Sequence, residues 1–394
     1  MMLGLLLARA GVEVLVLEKH ADFLRDFRGD TIHPSTLEVM HELGLVEKLL
    51  ALPHQKIPRF AAKFGERDLV IADLSRLPTH CRFIAMMPQW DFLDFLAREA
   101  ARYPGFRLRM RAEVTGLIER NGNIAGVQGK DFAVQASLVI GADGRHSTVR
   151  AAAGLQSEEY GVPMDVFWFR LGRRAGDPET TMATFGPGHI LVLLNRGDYW
   201  QCGYVIGKGA AEEVRARGLA ALRASIAKLL PFLGDRIDEL ADWEQLKLLT
   251  VRVDRLQRWY RPGLLCIGDA AHAMSPVGGV GINLAIQDAV AAANELAEPL
   301  RTGAVSVEHL RRVQERRDFP TRMTQRLQLT LQKQLIARAL QSEEQFKPPL
   351  FISLLEKFPF LRRVPARLIG LGVRPEHVRT SAAARARAPQ GTTG

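Results

Sequence analysis

The chain has 394 residues, of which 47% are hydrophobic and 24% charged, the composition of an ordinary globular protein. Its length predicts two closely packed lobes. The net charge of +10 comes from dispersed lysines and arginines, and no recognised nucleic-acid module accompanies them, so we predict no nucleic-acid partner. Cys81, Cys202 and Cys266 are scattered and show neither metal-binding nor redox spacing, so we predict no metal.

The first 58 residues have the helix–strand pattern of a dinucleotide-binding unit. Residues 1–10 are typical of a helix, and Val12 to Glu18 predicts a buried parallel strand ending in a carboxylate, where such folds hold the ribose hydroxyls of adenosine. Arg28 precedes a helix expected from Pro34 to about Leu43. The apolar run Leu3 to Leu7 is too short to span a membrane and does not resemble a signal peptide, so we expect a cytoplasmic protein without stable membrane insertion.

Residues 59–154 are predicted to hold a hairpin followed by a return to the dinucleotide-binding unit. The hairpin occupies 59–88, and a helix follows Gln89. Strands at 106–109, 113–119 and 124–128 lead to another at 136–140. This last strand ends in Asp143-Gly144, a dipeptide that is also common in ordinary turns.

Residues 155–255 predict a mainly antiparallel sheet. Short apolar runs are separated by Gly-Pro and Asn-Arg-Gly-Asp turns, with one helix from about Ala211 to Leu229. Most aromatic residues on such strands are core residues, and we expect only two or three to contact a ligand. The candidate pocket residues are Trp168, Phe185, Trp200 and Tyr204.

The stretch from Leu264 to Asp288 is the most informative part of the chain. An apolar strand ends at Gly268-Asp269, and a glycine-rich loop then opens a helix at Ile282. Such a loop exposes backbone N–H groups at a helix N-terminus, where negative charge is favoured. Glycines let a flat ligand approach the backbone, and Asp269 is placed to accept hydrogen bonds from sugar-like hydroxyls. The pattern predicts a cofactor cradle.

The C-terminal third predicts long helices at Ile282 to Leu300 and Val307 to Leu340. The second carries Leu327, Leu331 and Leu335 at helical spacing, which we interpret as a packing stripe. Residues 354–371 are apolar and basic, which is also typical of a membrane-surface segment. Because Pro359 and Pro365 interrupt them, we expect docking onto the protein body instead. Residues 381–394 are expected to be disordered.

These motifs occur in an order that resembles the class A flavoprotein monooxygenases, the para-hydroxybenzoate hydroxylase-like family. Residues 264–288 resemble its second flavin-contacting motif, 141–150 its Asp-Gly motif and 12–35 its first dinucleotide-binding region. The resemblance implies an α/β (α+β) fold in which a Rossmann-like FAD-binding domain is interleaved with a mainly antiparallel substrate domain. The expected FAD-binding parts are 1–58, 89–154 and 256–305, the substrate parts are 59–88 and 155–255, and 306–380 form C-terminal helices.

The resemblance also implies which residues bind FAD. Glu18 matches the adenosine ribose ligand, Asp269 the ribityl ligand, and Pro276 the proline on the oxygen side of the flavin ring, which makes Pro276 the catalytic candidate. Backbone amides matching Gly281, Ile282 and Asn283 contact the pyrimidine edge of the flavin. The remaining cofactor-binding candidates are Arg28, Gln89, Asp143, Gly268 and Gly279.

The activity implied is oxygen transfer. NADH or NADPH would reduce FAD, oxygen would form a flavin C4a-hydroperoxide, and an aromatic, polycyclic or quinol-like small molecule would be hydroxylated. His272 lies within the motif, and we interpret it as structural rather than as a base. The oligomeric state stays open.

One departure from the family pattern leaves alternatives open. The hydrophobic strand and the Gly-x-Gly-x-x-Gly turn that precede the first helix in the family are not in this sequence. We expect a late-assigned start or a truncated form, and an FAD-free, non-enzymatic descendant is the alternative. A flavoenzyme of the same fold but another outcome, such as an epoxidase, halogenase or reductase, is a further alternative. The segment Val166-Phe-Trp-Phe-Arg-Leu171 lacks the halogenase signature Trp-x-Trp-x-Ile-Pro.

Overall fold

A computed structural model describes residues 1–24, 30–65, 67–179, 181–342, 346 and 348–383. The described strands are β1 (Val14–Leu17), β2 (Thr31–Ile32), β3 (Gln55–Ile57), β4 (Arg59–Phe64), β5 (Arg67–Asp73), β6 (Ile84–Met86), β7 (Phe106–Arg109), β8 (Val114–Arg120), β9 (Asn123–Gly129), β10 (Ala133–Gln135), β11 (Val139–Gly141), β12 (Ser157–Tyr160), β13 (Met164–Gly172), β14 (Met182–Gly186), β15 (His189–Asn195), β16 (Tyr199–Gly207), β17 (Lys247–Leu249), β18 (Val253–Leu256), β19 (Tyr260–Arg261) and β20 (Leu264–Cys266). The described helices are α1 (Met2–Arg9), α2 (Pro34–Glu42), α3 (Val46–Leu50), α4 (Gln89–Ala100), α5 (Thr148–Ala152), α6 (Ala211–Ala216), α7 (Leu219–Leu229), α8 (Gly281–Arg301), α9 (Val307–Leu331), α10 (Ala337–Gln341), α11 (Leu350–Lys357) and α12 (Arg363–Gly370).

The dinucleotide-binding part is built from parallel strand pairs and buried helices. β1 pairs in parallel with β7, and β11 pairs in parallel with β20. Helix α1 is buried along its length and packs against α4 and α8. Parallel strands covered by helices form the layered α/β arrangement, so the Rossmann-like prediction is confirmed. Among the described residues the two parallel pairs belong to separate sheets, and Leu15 on β1 is 39% exposed.

The second part is a seven-stranded sheet in the order β17-β13-β16-β15-β14-β4-β5. Its neighbouring strands are antiparallel except for β14 and β4. The predicted hairpin at 59–88 therefore contributes β4 and β5 to the sheet formed by residues 164–249. The prediction of a mainly antiparallel sheet interleaved with the dinucleotide-binding part is confirmed.

Two long predicted elements are divided in the structure. The helix expected from Ala211 to Leu229 is two helices, α6 and α7, because Gly218 between them has φ of +88°, a left-handed conformation. The helix expected over Val307 to Leu340 is α9 followed by a π-helical segment, Gln332–Ile336, and α10. Near the end of the predicted sheet region, residues 245–252 contribute the short strand β17.

The predicted packing stripe on α9 is wrong for Leu327, which is 39% exposed. The buried residues of the helix are instead mostly polar, and Gln325 and Gln328 continue into the buried Gln332 of the π-helical segment. This face meets backbone groups of the loop after β20. Buried backbone N–H and C=O groups require hydrogen-bond partners, which amide side chains supply and leucines do not.

No helix within the described residues is long and apolar enough to cross a membrane. The expectation for the tail at 381–394 falls largely on residues 384–394, and that for Arg28 on residues 25–29. Both segments lie outside the described residues.

Candidate flavin site

The turn after β20 holds Asp269 in place through a glycine and a buried carboxylate. Gly268 has φ of +58°, and a Cβ atom on it would lie 3.0 Å from the Cβ of Ala285 on α8. Its N–H donates to the carboxylate of Asp288, at 3.0 Å. Glycine is therefore required for both the backbone angle and the close approach of α8.

Asp269 is partly exposed beside a cation. Its carboxylate lies 3.8 Å from the guanidinium of Arg145, and the two side chains are 35% and 23% exposed. A carboxylate accepts hydrogen bonds from ribityl-type hydroxyls, and an arginine binds phosphate oxygens. Arg145 is two residues beyond Asp143 and was not predicted as a site residue, although its position in the Asp-Gly-Arg motif was a usable signal.

Asp143 fixes the neighbouring Asp-Gly motif. Its carboxylate accepts hydrogen bonds from Ser147 Oγ at 2.5 Å and from the N–H of Val149 at 3.0 Å, so it stabilises the start of α5. The guanidinium of Arg150 donates to the carbonyls of Arg145, at 2.8 Å, and Ala270, at 3.4 Å. The motifs at 141–150 and 264–288 are thus brought together. The carboxylate of Asp143 stabilises the turn that leads into α5.

The glycine loop packs closely on β2. Gly279 has φ of +63°, and an added Cβ would lie 2.5 Å from Thr31 Oγ1. The Thr31 hydroxyl donates to the Gly279 carbonyl at 2.8 Å. This contact again leaves no room for a side chain and fixes the loop ahead of α8.

The side chain of Asn283 fixes the first turn of α8. Its Oδ1 accepts from the N–H of His33 at 2.9 Å and from Thr36 Oγ1 at 2.8 Å. No described side chain caps α8, which begins at Gly281. The first N–H groups of a helix have no partner within the helix, so those of Gly281, Ile282 and Asn283 are available to an electronegative ligand edge.

The loop that carries Pro276 is held by α9. Gln328 accepts from the N–H of Ser275 at 3.3 Å and donates to the carbonyls of Ser275, at 3.0 Å, and Val277, at 2.8 Å. Gln332 donates to Ser275 Oγ. The backbone on both sides of Pro276 is therefore fixed by amide side chains that the sequence analysis did not single out.

A buried ionic network lies beneath the Gly268 turn. Asp288 contacts His272 Nε2 at 2.6 Å and Arg317 Nε at 2.9 Å, and each of the three side chains is at most 1% exposed. Burial alone would raise the pKa of Asp288, but the charges and hydrogen bonds of His272 and Arg317 lower it. His272 is thus engaged in the support of the turn, which agrees with its structural interpretation.

The predicted adenosine end of the site lies where β1 ends. The Met1 amino group, at the N-terminus of α1, interacts electrostatically with Glu18, while its burial lowers its pKa. A strand-end carboxylate beside a helix N-terminus is the arrangement that holds a ribose and a pyrophosphate in dinucleotide-binding folds. The position of Glu18 at the end of β1 fits its predicted role as a ligand of the adenosine ribose.

A polar cluster joins the sheet to the dinucleotide-binding part. Arg196, in the β15–β16 turn, forms an ion pair with Asp30, and their side chains are 5% and 8% exposed. Arg196 Nε also donates to Gln201 Oε1 at 3.0 Å. The second carboxylate oxygen of Asp30 accepts from the N–H of Gln89, at 3.2 Å. This cluster therefore includes Gln89 and adjoins Thr31, the partner of Gly279.

The four aromatic pocket candidates lie on different faces of the sheet. Phe185 and the partly buried Trp168 belong to the core cluster that also contacts Val277, directly after Pro276. Trp200 and Tyr204 belong to the opposite cluster, beneath α7. The Trp200 indole donates to Asp177 at 2.9 Å, and the Tyr204 hydroxyl contacts His189 Nδ1 at 2.7 Å. The structure does not bring Trp200 and Tyr204 to the face that meets the glycine loop.

The residues present fit FAD. The Gly268 and Gly279 positions exclude a Cβ, the first turn of α8 offers uncapped N–H groups, and Asp269 with Arg145 offers one carboxylate and one cation. This donor set matches a ligand with a polar ring edge, a polyol chain and phosphates.

Comparison with known proteins identifies the family. Residues 1–327 match the model of the FAD binding domain family. The chain is 32% identical over 343 residues to a 6-methylpretetramide 4-monooxygenase of Streptomyces rimosus, covering 85% of this chain and 81% of that protein.

The chain belongs to the FAD binding domain family of class A flavoprotein monooxygenases.

Two further comparisons agree. A 3-demethoxyubiquinol 3-hydroxylase of Escherichia coli is 24% identical over 73% of this chain and 74% of its own length. The structure of the OxyS anhydrotetracycline hydroxylase from Streptomyces rimosus superposes with a TM-score of 0.72 at 23% identity, over 95% of this chain and 74% of that one, and supports the fold. The chain is therefore an FAD-dependent oxidoreductase of the monooxygenase type, and the flavin-free alternative is set aside.

Proposed function

We propose that this flavoprotein monooxygenase hydroxylates a flat, largely apolar aromatic or polycyclic small molecule, with NADH or NADPH as reductant and O2 as oxygen source. The observation that carries the proposal is the packing of the apolar sheet face on Val277. This face includes Trp168 and Phe185 and lies directly against the loop that presents Pro276. Ligand sites of this kind are mostly apolar, with a few placed polar groups.

FAD supplies the redox chemistry when it is bound, and the chain's own residues supply position and electrostatics. Asp269 and Arg145 hold the chain and phosphate end of the cofactor. The N–H groups of Gly281 to Asn283 stabilise negative charge at the ring edge. The apolar face excludes water from the reacting region, which limits unproductive release of hydrogen peroxide.

Arg196 is the residue we assign to orient the substrate. Its Nη1 is buried and has no hydrogen-bond partner among the described residues, although Nε and Nη2 are engaged by Gln201 and Asp30. Burial lowers the pKa of Arg196 to about 10, which leaves it charged at neutral pH. A buried donor without a partner costs free energy. An oxygen of a phenolic or enolic substrate would satisfy it, which favours oxygenated aromatic substrates.

The test is oxygen incorporation under turnover. The full chain, supplied with FAD and with NADH or NADPH, is screened against phenols and polycyclic phenols under ¹⁸O2, and products are analysed by mass spectrometry. The proposal expects one ¹⁸O atom per product and stoichiometric loss of the reduced nicotinamide. A product formed without ¹⁸O or without nicotinamide oxidation would assign another outcome to the same fold.

A further inference from the structure

Exposed apolar side chains are concentrated in one short segment near the C-terminus. Among the described residues thirteen large apolar side chains are exposed, and six of them lie between positions 350 and 364. They are Leu350, Phe351, Leu354, Phe358, Phe360 and Val364, and we call them the C-terminal apolar patch. Soluble proteins scatter such residues singly, and a concentration of them marks an interaction surface.

Helix α11 is apolar on two sides. Ile352 and Leu355 are buried, and Ile352 belongs to the core cluster under the sheet. Leu350 and Leu354, one helical turn apart, are 78% and 41% exposed. The segment therefore docks on the protein body with one face, as its sequence predicts, and presents a second apolar face outward. The core-facing side of a surface helix is normally its only extended apolar face, so a second apolar face requires another contact.

The patch continues beyond α11 as one surface. The rings of Phe358 and Phe360 touch edge to face with centroids 6.1 Å apart. The Nε of Arg362 donates to the carbonyl of Leu355 at 3.0 Å and so fixes the 3-10 turn Pro359–Arg362 against α11. Val364, in the first turn of α12, is 60% exposed.

The patch is bordered by positive charge. Lys357, Arg363 and Arg367 are exposed. The acidic residue within 350–370 is Glu356, which is paired with Arg67 at 2.5 Å. Large apolar side chains beside exposed cations complement a surface that is apolar within and anionic outside.

We propose that the C-terminal apolar patch docks the protein on an anionic phospholipid surface. Short amphipathic helices insert apolar side chains at the level of the lipid headgroups, and neighbouring lysines and arginines interact with anionic lipids. A second copy of the chain fits less well, because a twofold contact would place each patch and its cations against themselves. The docking is peripheral, in line with the lack of a membrane-spanning helix in the described part of the chain.

Helix α12, which carries Val364 of the C-terminal apolar patch, contacts a residue that helps to fix the first turn of α8. The carbonyl of Ile369 on α12 lies 2.7 Å from His33 Nδ1, and the N–H of His33 donates to Asn283. The surface that meets lipid is thus carried by the same body as the site. An enzyme for apolar ring compounds benefits from contact with the phase in which they accumulate.

The experiment is vesicle co-sedimentation of the FAD-loaded full chain. The probes are vesicles of equal parts phosphatidylglycerol and phosphatidylcholine, with pure phosphatidylcholine vesicles as the neutral comparison. We expect binding to the mixed vesicles, weaker binding to the neutral ones, and a reduction at high salt, since screening weakens exposed charges. The double variant Leu350→Ser/Phe360→Ser is expected to lose binding at least about fivefold because apolar insertion is removed. Arg363→Glu/Arg367→Gln is expected to lose the preference for anionic vesicles.

Matched controls are the double variant Val307→Ser/Met323→Ser, which removes exposed apolar residues elsewhere, and Arg326→Glu, which reverses an exposed charge on α9. Both should bind like the parent chain, and the thermal unfolding of every variant checks its fold. Failure of the parent to bind either vesicle would overturn the proposal, as would equal loss in the controls. A dimer in solution that only the patch variants dissociate would assign the surface to a second copy, and so also overturn it.

Discussion

The side-chain amide of Gln328 pairs with the backbone of Ser275 in both directions, accepting from its N–H at 3.3 Å and donating to its carbonyl at 3.0 Å. The two residues are 53 positions apart, and Ser275 directly precedes Pro276. Position 276 is therefore oriented from α9, a helix that contributes no residue to the predicted cofactor set.

Replacing Gln328 by Met should disturb the loop without removing a cofactor ligand. Loss of the amide leaves buried backbone groups at Ser275 and Val277 without partners, which costs about 1–3 kcal/mol in unfolding free energy. We expect a corresponding decrease in urea stability and weaker FAD binding in a fluorescence titration. Leu327→Ala, on the exposed side of the same helix, is the control and should change neither. Unchanged FAD affinity in Gln328→Met would contradict the assigned role.

Asp288→Asn should strongly destabilise the fold. The substitution removes the nearer of the two carboxylates beside the fully buried Arg317, at 2.9 Å, and leaves Glu376 at 3.5 Å, and breaking such a buried pair typically costs about 3–5 kcal/mol. The double variant Asp288→Asn/Arg317→Met removes both charges and should recover part of the loss. Urea unfolding of the two variants makes the comparison. If the double variant were no more stable than the single one, the uncompensated charge would not be the cause.

Asp269→Asn should weaken FAD binding while leaving the fold largely intact. The side chain is 35% exposed and so contributes little to stability. A hydrogen bond to a charged group contributes about 1.5–3 kcal/mol, so we expect FAD affinity to fall roughly tenfold to a hundredfold. Equilibrium dialysis with FAD measures the change, and the exposed Asp68→Asn is the control. Retention of FAD at the level of the parent chain would remove Asp269 from the cofactor set.

Arg196→Lys should raise the KM for the substrate more than it lowers kcat. Lysine keeps the positive charge beside Asp30, but its single ammonium cannot reproduce the planar set of donors that engages Asp30 and Gln201 and leaves Nη1 for a ligand. Steady-state kinetics with the identified substrate, together with urea unfolding, separate binding from stability. Arg174→Lys changes an exposed arginine of the same sheet region and should be neutral. An unchanged KM would contradict the orienting role.

Acidification should destabilise the protein through His33. Burial lowers the pKa of this histidine from 6.5 to about 4, against a smaller opposing effect of its hydrogen bond to Ile369. The unfolded chain then binds more protons than the folded one between these values, so stability is full above about pH 6.5 and declines as the pH falls towards 4. The shift corresponds to about 3 kcal/mol. Between pH 7 and pH 4.5, urea unfolding should show a larger loss of unfolding free energy for the parent chain than for His33→Gln. Equal losses would show that His33 is not the cause of the acid destabilisation.

The features that could be predicted from sequence are those in which local order carries the information. Gly268-Asp269 follows an apolar strand, and the glycines before Ile282 open a helix, so the cradle was visible without a structure. Gly268 and Gly279 have the positive φ and the close contacts that exclude a side chain.

The parts that sequence could not supply depend on long-range packing. Arg196 and Asp30 are 166 residues apart, and neither residue type is unusual on a surface. Successive side chains of a strand point to opposite faces of the sheet, but the sequence does not say which face meets the glycine loop. The sequence therefore could not show that Trp168 lies on the face that meets the loop and that Trp200 and Tyr204 lie on the other. The buried glutamines of α9 were missed because helical spacing favours leucines as the packing face, whereas the neighbouring backbone required amides.

We predict that this chain holds FAD at the Gly268–Asp269 turn and the first turn of α8. The first measurement is the visible absorption spectrum of the purified chain after addition of FAD and removal of free cofactor, run beside Asp269→Asn and beside a form extended by a family-type strand and glycine turn. We expect flavin bands that remain with the protein in the parent or the extended form and that decrease in the Asp269 variant. A chain that stays colourless in both forms would show that these residues do not hold FAD.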